Sequence, residues 1–204
     1  MPKRLSKNFK NRSTRIVNNT FQIISGEYRG RKFSFPDVTG LRPTPGKVRE
    51  TLFNWIQFES FDKTYLDLFA GSGALSFEAL SRGAKQVVSV EKDFNAFQSL
   101  EKNRKNLKSD KIRFFNQDAL KFLAKKSNQS FDFVFLDPPF NKNILPKALR
   151  SLSEGNFVTS GSKIYIESEY EIIEKEISTF FPKKIRISKQ KQSGQVNYCL
   201  IEIL

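Results

Sequence analysis

The chain has 204 residues, 38% of them hydrophobic, which suffices for one domain with a sizeable core. Its 35 Lys and Arg against 21 Asp and Glu leave a net charge of +14, which points to a polyanionic partner, nucleic acid before membrane. A single cysteine, Cys199, and the lack of histidine exclude an internal disulfide, a thiolate metal cluster, a His-based zinc site and a Ser-His-Asp triad. No apolar run approaches the roughly 20 residues of a membrane span, and the first fifteen residues lack the apolar stretch of a secretory signal. The chain is therefore expected to be cytoplasmic, with no membrane partner and no metal; a monomer is expected too, although nothing in the sequence fixes the oligomeric state. A second source of the charge stays open, because the richness in Lys, Asn, Phe and Ile also fits a mutational bias.

Residues 1–19 carry Lys3, Arg4, Lys7, Lys10, Arg12 and Arg15 with no acidic residue, and are expected to form a flexible basic tail. Two short β-like runs, Phe21–Ser25 and Arg31–Phe35, are joined through Gly26–Gly30 and predict a hairpin. Its turn gathers Tyr28, Arg29, Arg31 and Lys32, an aromatic ring among cations that suits RNA. Leu41–Gly46 is a proline loop that contains Arg42. A helix over 47–57 follows, with Val48, Leu52, Trp55 and Ile56 on its buried stripe and Arg49 and Glu50 off it. Residues 20–60 thus form an extension to a domain spanning 61–204.

Beyond Thr64, strands at 65–70, 86–91, 111–116, 131–137 and 163–168 alternate with helices near 73–82, 94–107, 118–126, 143–152 and 170–179. That alternation predicts right-handed βαβ units in a doubly wound α/β fold. Strands 184–188 and 196–203 have no helix between them and must pair around Gly194. They complete a seven-stranded, mostly parallel sheet with an antiparallel edge.

The chemistry-bearing residues fall at the strand ends. Tyr65–Gly73 runs a strand into the turn Gly71-Ser-Gly73, where glycines let the backbone approach a ligand. The turn lacks both the third glycine of a dinucleotide site and the lysine of a phosphate loop, and Asp67 just before it would repel an anion. Glu91, twenty residues past Gly71, is placed to chelate ribose hydroxyls. Asp118 can accept from an adenine amino group, or merely cap the helix that follows. Phe131–Phe140 is an apolar strand ended by Pro138 and Pro139, which leaves Asp137 and Phe140 at the carboxyl end of a central strand.

A ligand with ribose, adenine and a positive centre but no phosphate matches S-adenosylmethionine, and the order of motifs resembles a class I (Rossmann-like) methyltransferase. Asp137-Pro-Pro-Phe140 resembles the Asn/Asp-Pro-Pro-Tyr/Phe motif of amino methyltransferases. Ile23–Phe33, Arg42-Pro-Thr44, Val48–Ile56, Asp67–Leu75 and Ser193–Tyr198 together resemble the RsmD family, from about residue 20 to Tyr198. The chain departs from it in a longer basic N-terminus and in Pro45-Gly-Lys47. The resemblance implies methylation of guanine N2 in 16S rRNA or the assembling small ribosomal subunit. In that reading Asp137, Pro138 and Phe140 are catalytic, and Asp67, Phe69, Gly71, Gly73, Glu91, Asp118 and Ala119 bind the cofactor. Tyr28, Arg29, Arg31, Lys32, Arg42, Arg49 and Pro139 then contact RNA, although Arg49 could instead salt-bridge the sheet domain. Three alternatives stay open: an adenine-N6 methyltransferase, a protein glutamine-amide methyltransferase, and a non-catalytic ribosome-assembly protein that retains the fold.

Overall fold

In a computed structural model, which describes residues 19–38, 41 and 44–204, two antiparallel strands, β1 (Asn19–Gln22) and β2 (Lys32–Phe35), form the expected hairpin. The expected basic tail lies outside the described residues except for Asn19, which opens β1. Helix α1 (Gly46–Trp55) follows. The sheet comprises β3 (Thr64–Asp67), β4 (Gln86–Glu91), β5 (Ile112–Asn116), β6 (Phe133–Leu136), β7 (Lys163–Ser168), β8 (Ile185–Ser193) and β9 (Val196–Ile203). Between these strands run α2 (Ala74–Ser81), α3 (Phe94–Leu107), α4 (Ala119–Leu123), α5 (Leu145–Glu154) and α6 (Glu174–Ser178).

The strand order is β5-β4-β3-β6-β7-β9-β8, with β3 to β7 parallel and β9 antiparallel to both β7 and β8. The chain winds outward from β3 through β4 to β5, then returns to the other side of β3 with β6. A crevice must open between β3 and β6 at their carboxyl ends, because their outgoing connections leave in opposite directions. All four β6 residues are buried, and they alternate. Phe133 and Phe135 join one core with β1, β2, α1, α2 and α3, while Val134 and Leu136 join another under α4, α5 and α6. Two-sided burial is why this strand is nearly continuously apolar in sequence.

The hairpin is no independent unit. Phe21 and Phe33 pack with Phe77 of α2, the Phe33 and Phe77 rings stacking at 4.7 Å, and Phe53 of α1 meets Phe135 edge-on. Glu78 of α2, fully buried, accepts from the backbone N–H groups of Ile24 (2.8 Å) and Ser25 (3.1 Å) and from Arg82 Nε (2.8 Å). Gly26, at φ +86°, passes so close to α2 that a Cβ would stand 1.9 Å from the Ser81 carbonyl oxygen.

Several element bounds differ from the sequence reading, among them β3 and β6, which are shorter than expected. Strand β8 runs to Ser193, five residues beyond the expected end, because pairing with β9 imposes strand geometry on the polar run Lys189–Ser193 across an irregularity near Ile187. Helices α4 and α6 are five residues each, shorter than expected, their flanks turning to reach the next strand.

Candidate active site

The glycine turn is built by main-chain geometry. Gly71 and Gly73 adopt φ +53° and +83°, and a Cβ on Gly73 would lie 2.4 Å from Leu100 and 2.8 Å from Phe77. Gly73 caps α2, while Gly71 donates its N–H to Glu91 Oε2 at 2.7 Å. The Asp93 N–H takes Glu91 Oε1 at the same distance. The Glu91 carboxylate is thus fixed at the end of β4, and each oxygen keeps a lone pair for a further donor. Burial pushes its pKa up, against the N–H groups of Asp93 and Gly71. Leu41 lies over the turn, about 4.0 Å from where a Gly71 Cβ would be.

Asp67 ends β3 beneath this turn, only 2% exposed. Ser76 donates to its Oδ2 at 2.5 Å and is itself linked to Ser89 at 2.8 Å. Burial raises the carboxyl to about 6 despite the Ser76 and Phe69 donors. It contributes charge and support from behind, with Phe69 half-buried alongside. Asp118 does cap α4, Oδ1 accepting from the N–H groups of Leu120 and Lys121, and its Oδ2 meets Lys92 at 3.2 Å. Partial burial opposes ionisation there, but the Lys121 N–H and Lys92 outweigh it and hold the pKa low. Ala119, next in line, is buried.

Asp137 is half-buried at the end of β6, with Pro138 buried, Pro139 exposed and Phe140 half-buried. No described residue donates a hydrogen bond to its carboxylate. Burial first, then the carboxylates of Glu167 and Asp67, push its pKa well above the usual range. The loop beyond is pinned by the Asn141 N–H on Glu169 Oε1 at 2.8 Å.

Sequence reasoning missed the neighbours of Asp137. Leu136 pairs with Ile166, so the next residues, Asp137 and Glu167, stand abreast on β6 and β7. Glu167 is 3% exposed and accepts from Tyr165 OH at 2.8 Å. Burial lifts its carboxyl to about 7. Opposite it on β9 is Tyr198, on which Trp55 stacks at 5.5 Å. The strand-like alternation Tyr165-Ile-Glu167 was the available signal, since it puts Glu167 on the Tyr165 face.

The structure therefore gathers Asp67, Phe69, Gly71, Gly73, Glu91, Asp118, Ala119 and Asp137–Phe140 along the carboxyl ends of four adjacent strands. The hairpin turn is elsewhere. The Glu27 and Tyr28 N–H groups bond to Ser81 at the far end of α2 from Gly73. Eight residues of helix separate those ends, about 12 Å. Arg29, Arg31 and Lys32 are exposed there, Arg31 lying over the Tyr28 ring at 5.4 Å. Arg49 is a correction. It is 4% exposed, donates to the Gln22 carbonyl at 2.6 Å and faces Glu78 at 3.6 Å, so its guanidinium is structural and turned away from solvent. Arg42 lies outside the described residues.

The arrangement suits an adenosyl cation. Glu91 and Asp118 offer acceptors to a nucleoside, the open glycine turn admits it, and the buried acid Asp67 favours a positive centre. Among the described residues no group of three or more Asp, Glu, Cys or His is arranged to hold a metal ion. No described helix is long and apolar enough to cross a membrane.

Comparison with known proteins shows the family and the fold. The family described as "Conserved hypothetical protein 95" matches residues 21–202. The "Ribosomal RNA small subunit methyltransferase D" of Escherichia coli K12 is 41% identical over 181 residues, 89% of each chain. The solved structure of the Escherichia coli yhhF protein superposes with a TM-score of 0.79 at 39% identity, covering 91% of this chain and 98% of that one. The 16S rRNA N2 G1207 methyltransferase of Thermus thermophilus, solved with AdoMet and guanosine, shares the fold at a TM-score of 0.69 and 19% identity, over 92% of this chain and 50% of that one.

Proposed function

The chain belongs to the RsmD family of methyltransferases, and from that premise we propose that it methylates the exocyclic N2 of a guanine in small-subunit rRNA. The observation that carries the reading is Asp137, at the carboxyl end of β6, with no described donor of its own and flanked by a proline carbonyl and an aromatic ring. S-adenosylmethionine, when bound, supplies a methyl group already activated on a sulfonium, so no covalent enzyme intermediate is needed.

The protein's part is to bind, orient and accept. Guanine N2 is a poor nucleophile because its lone pair is delocalised into the ring. Accepting its two hydrogens on Asp137 and on the Pro138 carbonyl returns electron density to nitrogen and fixes its direction of approach. Such orientation can remove about 7–11 kcal/mol of a barrier. Phe140 provides a face on which a base flipped from its stack can rest, with Pro139 at the rim. Glu91 and Asp118 would hold ribose and adenine. As the amino nitrogen gains its methyl group it must lose a proton, which water or Asp137 takes. The acids around it favour uptake of that proton.

The test is to incubate labelled S-adenosylmethionine with small subunits lacking the modification and to map the labelled nucleotide. Label on guanine N2 is expected; label on adenine, on protein or nowhere would overturn the reading. Asp137→Ala should reduce turnover at least about 100-fold while leaving cofactor affinity within a few-fold.

A further inference from the structure

The proposed reaction gives Glu167 no contact with the base, although it stands beside Asp137. It is 3% exposed on β7, with no cation within bonding distance among the described residues. Such a carboxylate is costly to the fold unless something else uses it. Tyr165 OH holds Oε1 at 2.8 Å, whereas Oε2 has no partner among the described residues. The Tyr165 bond fixes the carboxylate, and Tyr198, backed by Trp55, walls off the next strand. The result is a second acceptor in register with the first, on the same face of the sheet.

Resting on the guanine reading, we propose that Glu167 is the base-selecting residue, accepting the N1–H of the guanine whose 2-amino group is held by Asp137 and the Pro138 carbonyl. Among the amino-bearing bases only guanine carries a ring donor next to its amino group. Adenine has a bare N1 beside N6, and cytosine a bare N3 beside N4. Two adjacent acceptors therefore match guanine donor for acceptor and set lone pair against lone pair for the others. This mismatch costs transition-state binding, because the carboxylate is left without its donor.

The decisive probe is 2-aminopurine, which keeps the 2-amino group but has an unprotonated N1. Placed at the nucleotide mapped above, it should be methylated by the wild type with kcat/KM roughly 100-fold or more below guanine. Glu167→Gln can turn an amide N–H toward N1, so it should lose guanine activity and narrow the guanine to 2-aminopurine ratio to about 10-fold or less. Tyr165→Phe keeps the carboxylate but frees it, and should narrow the ratio part of the way. Cofactor affinity should stay within a few-fold in both variants.

A wild type that methylates both bases equally would overturn the proposal. So would Glu167→Gln retaining the wild-type ratio, as a merely structural residue would. Should Glu167→Gln fail to fold, the wild type and Tyr165→Phe still decide, since an unchanged ratio in Tyr165→Phe also counts against the role. Failure of the guanine reading itself looks different: the wild type would then label neither base.

Discussion

Glu78→Ala removes the joint between the N-terminal extension and the sheet domain. The side chain is fully buried and receives two backbone N–H groups, Ile24 and Ser25, together with Arg82 and Arg49. Leaving a buried donor unpaired costs about 1–3 kcal/mol, and stripping a buried ion of its partner about 3–5 kcal/mol. Arg82 is half-buried and can turn to water, so the loss concentrates on the two N–H groups and on Arg49, whose Nε already lacks a hydrogen-bond partner among the described residues. These costs are not additive once the hairpin can lift away. An overall loss of about 4 kcal/mol is expected, a Tm lower by about 8–16 °C for a domain of this size. Thermal unfolding followed by circular dichroism reads the shift, and limited proteolysis should show faster cleavage between residues 19 and 35. A cycle with Arg49→Ala should return a coupling of about 1–3 kcal/mol. A Tm within about 2 °C of wild type, with unchanged proteolysis, would refute the assignment of Glu78 as the anchor.

Charge removal at Arg29 and Arg31 tests where RNA reaches. Their distance from the cleft predicts a weaker Kd and a salt slope shallower by up to about 1.4, with kcat at saturating substrate unchanged; a fall in kcat with the slope intact would place the turn at the chemistry instead. Asp67 predicts a pH effect. Its folded-state pKa of about 6 exceeds the usual 3.8, so its contribution to stability is fully present below pH 4 and is lost as pH rises through 6. The sign follows because the native state binds more protons than the unfolded chain across that window. Asp67→Asn should therefore gain stability relative to wild type as pH goes from 4 to 7, by up to about 3 kcal/mol, in urea titrations at each pH. A difference that is flat, or that falls with pH, would refute it.

The parallel core was legible because its strands are buried on both faces and say so residue by residue, as in Phe133–Leu136. The hairpin was legible for a different reason: Gly26 and Gly30 punctuate two aromatic runs. Its position was not. Nothing in Gly26–Lys32 says that the turn packs on Ser81 at the amino-terminal edge of the sheet, because that depends on a contact with α2 more than fifty residues away. The helical stripe of α1 placed Arg49 off the apolar face, where an exposed cation is the ordinary outcome. Its burial required knowing that Glu78 lies opposite, and Glu78 reads in sequence as one more polar position on a helix.

The candidate site divides along the same line. Residues made conspicuous by backbone demands, such as Gly71, Gly73 and the paired prolines, could be found locally, and the acids at strand ends followed from their spacing. Glu167 could not, since its neighbour in the site is thirty positions earlier and is brought abreast only by the β6–β7 register. Parallel pairing across a helical crossover joins residues that no local pattern links. A specificity residue on an adjacent strand is therefore the part of such a site that sequence reasoning is least able to reach. A buried acid one strand from Asp137, held by a tyrosine hydroxyl and given no cation among the described residues, calls for a donor from outside the protein, and the edge of guanine supplies one beside the amino group that Asp137 is placed to hold.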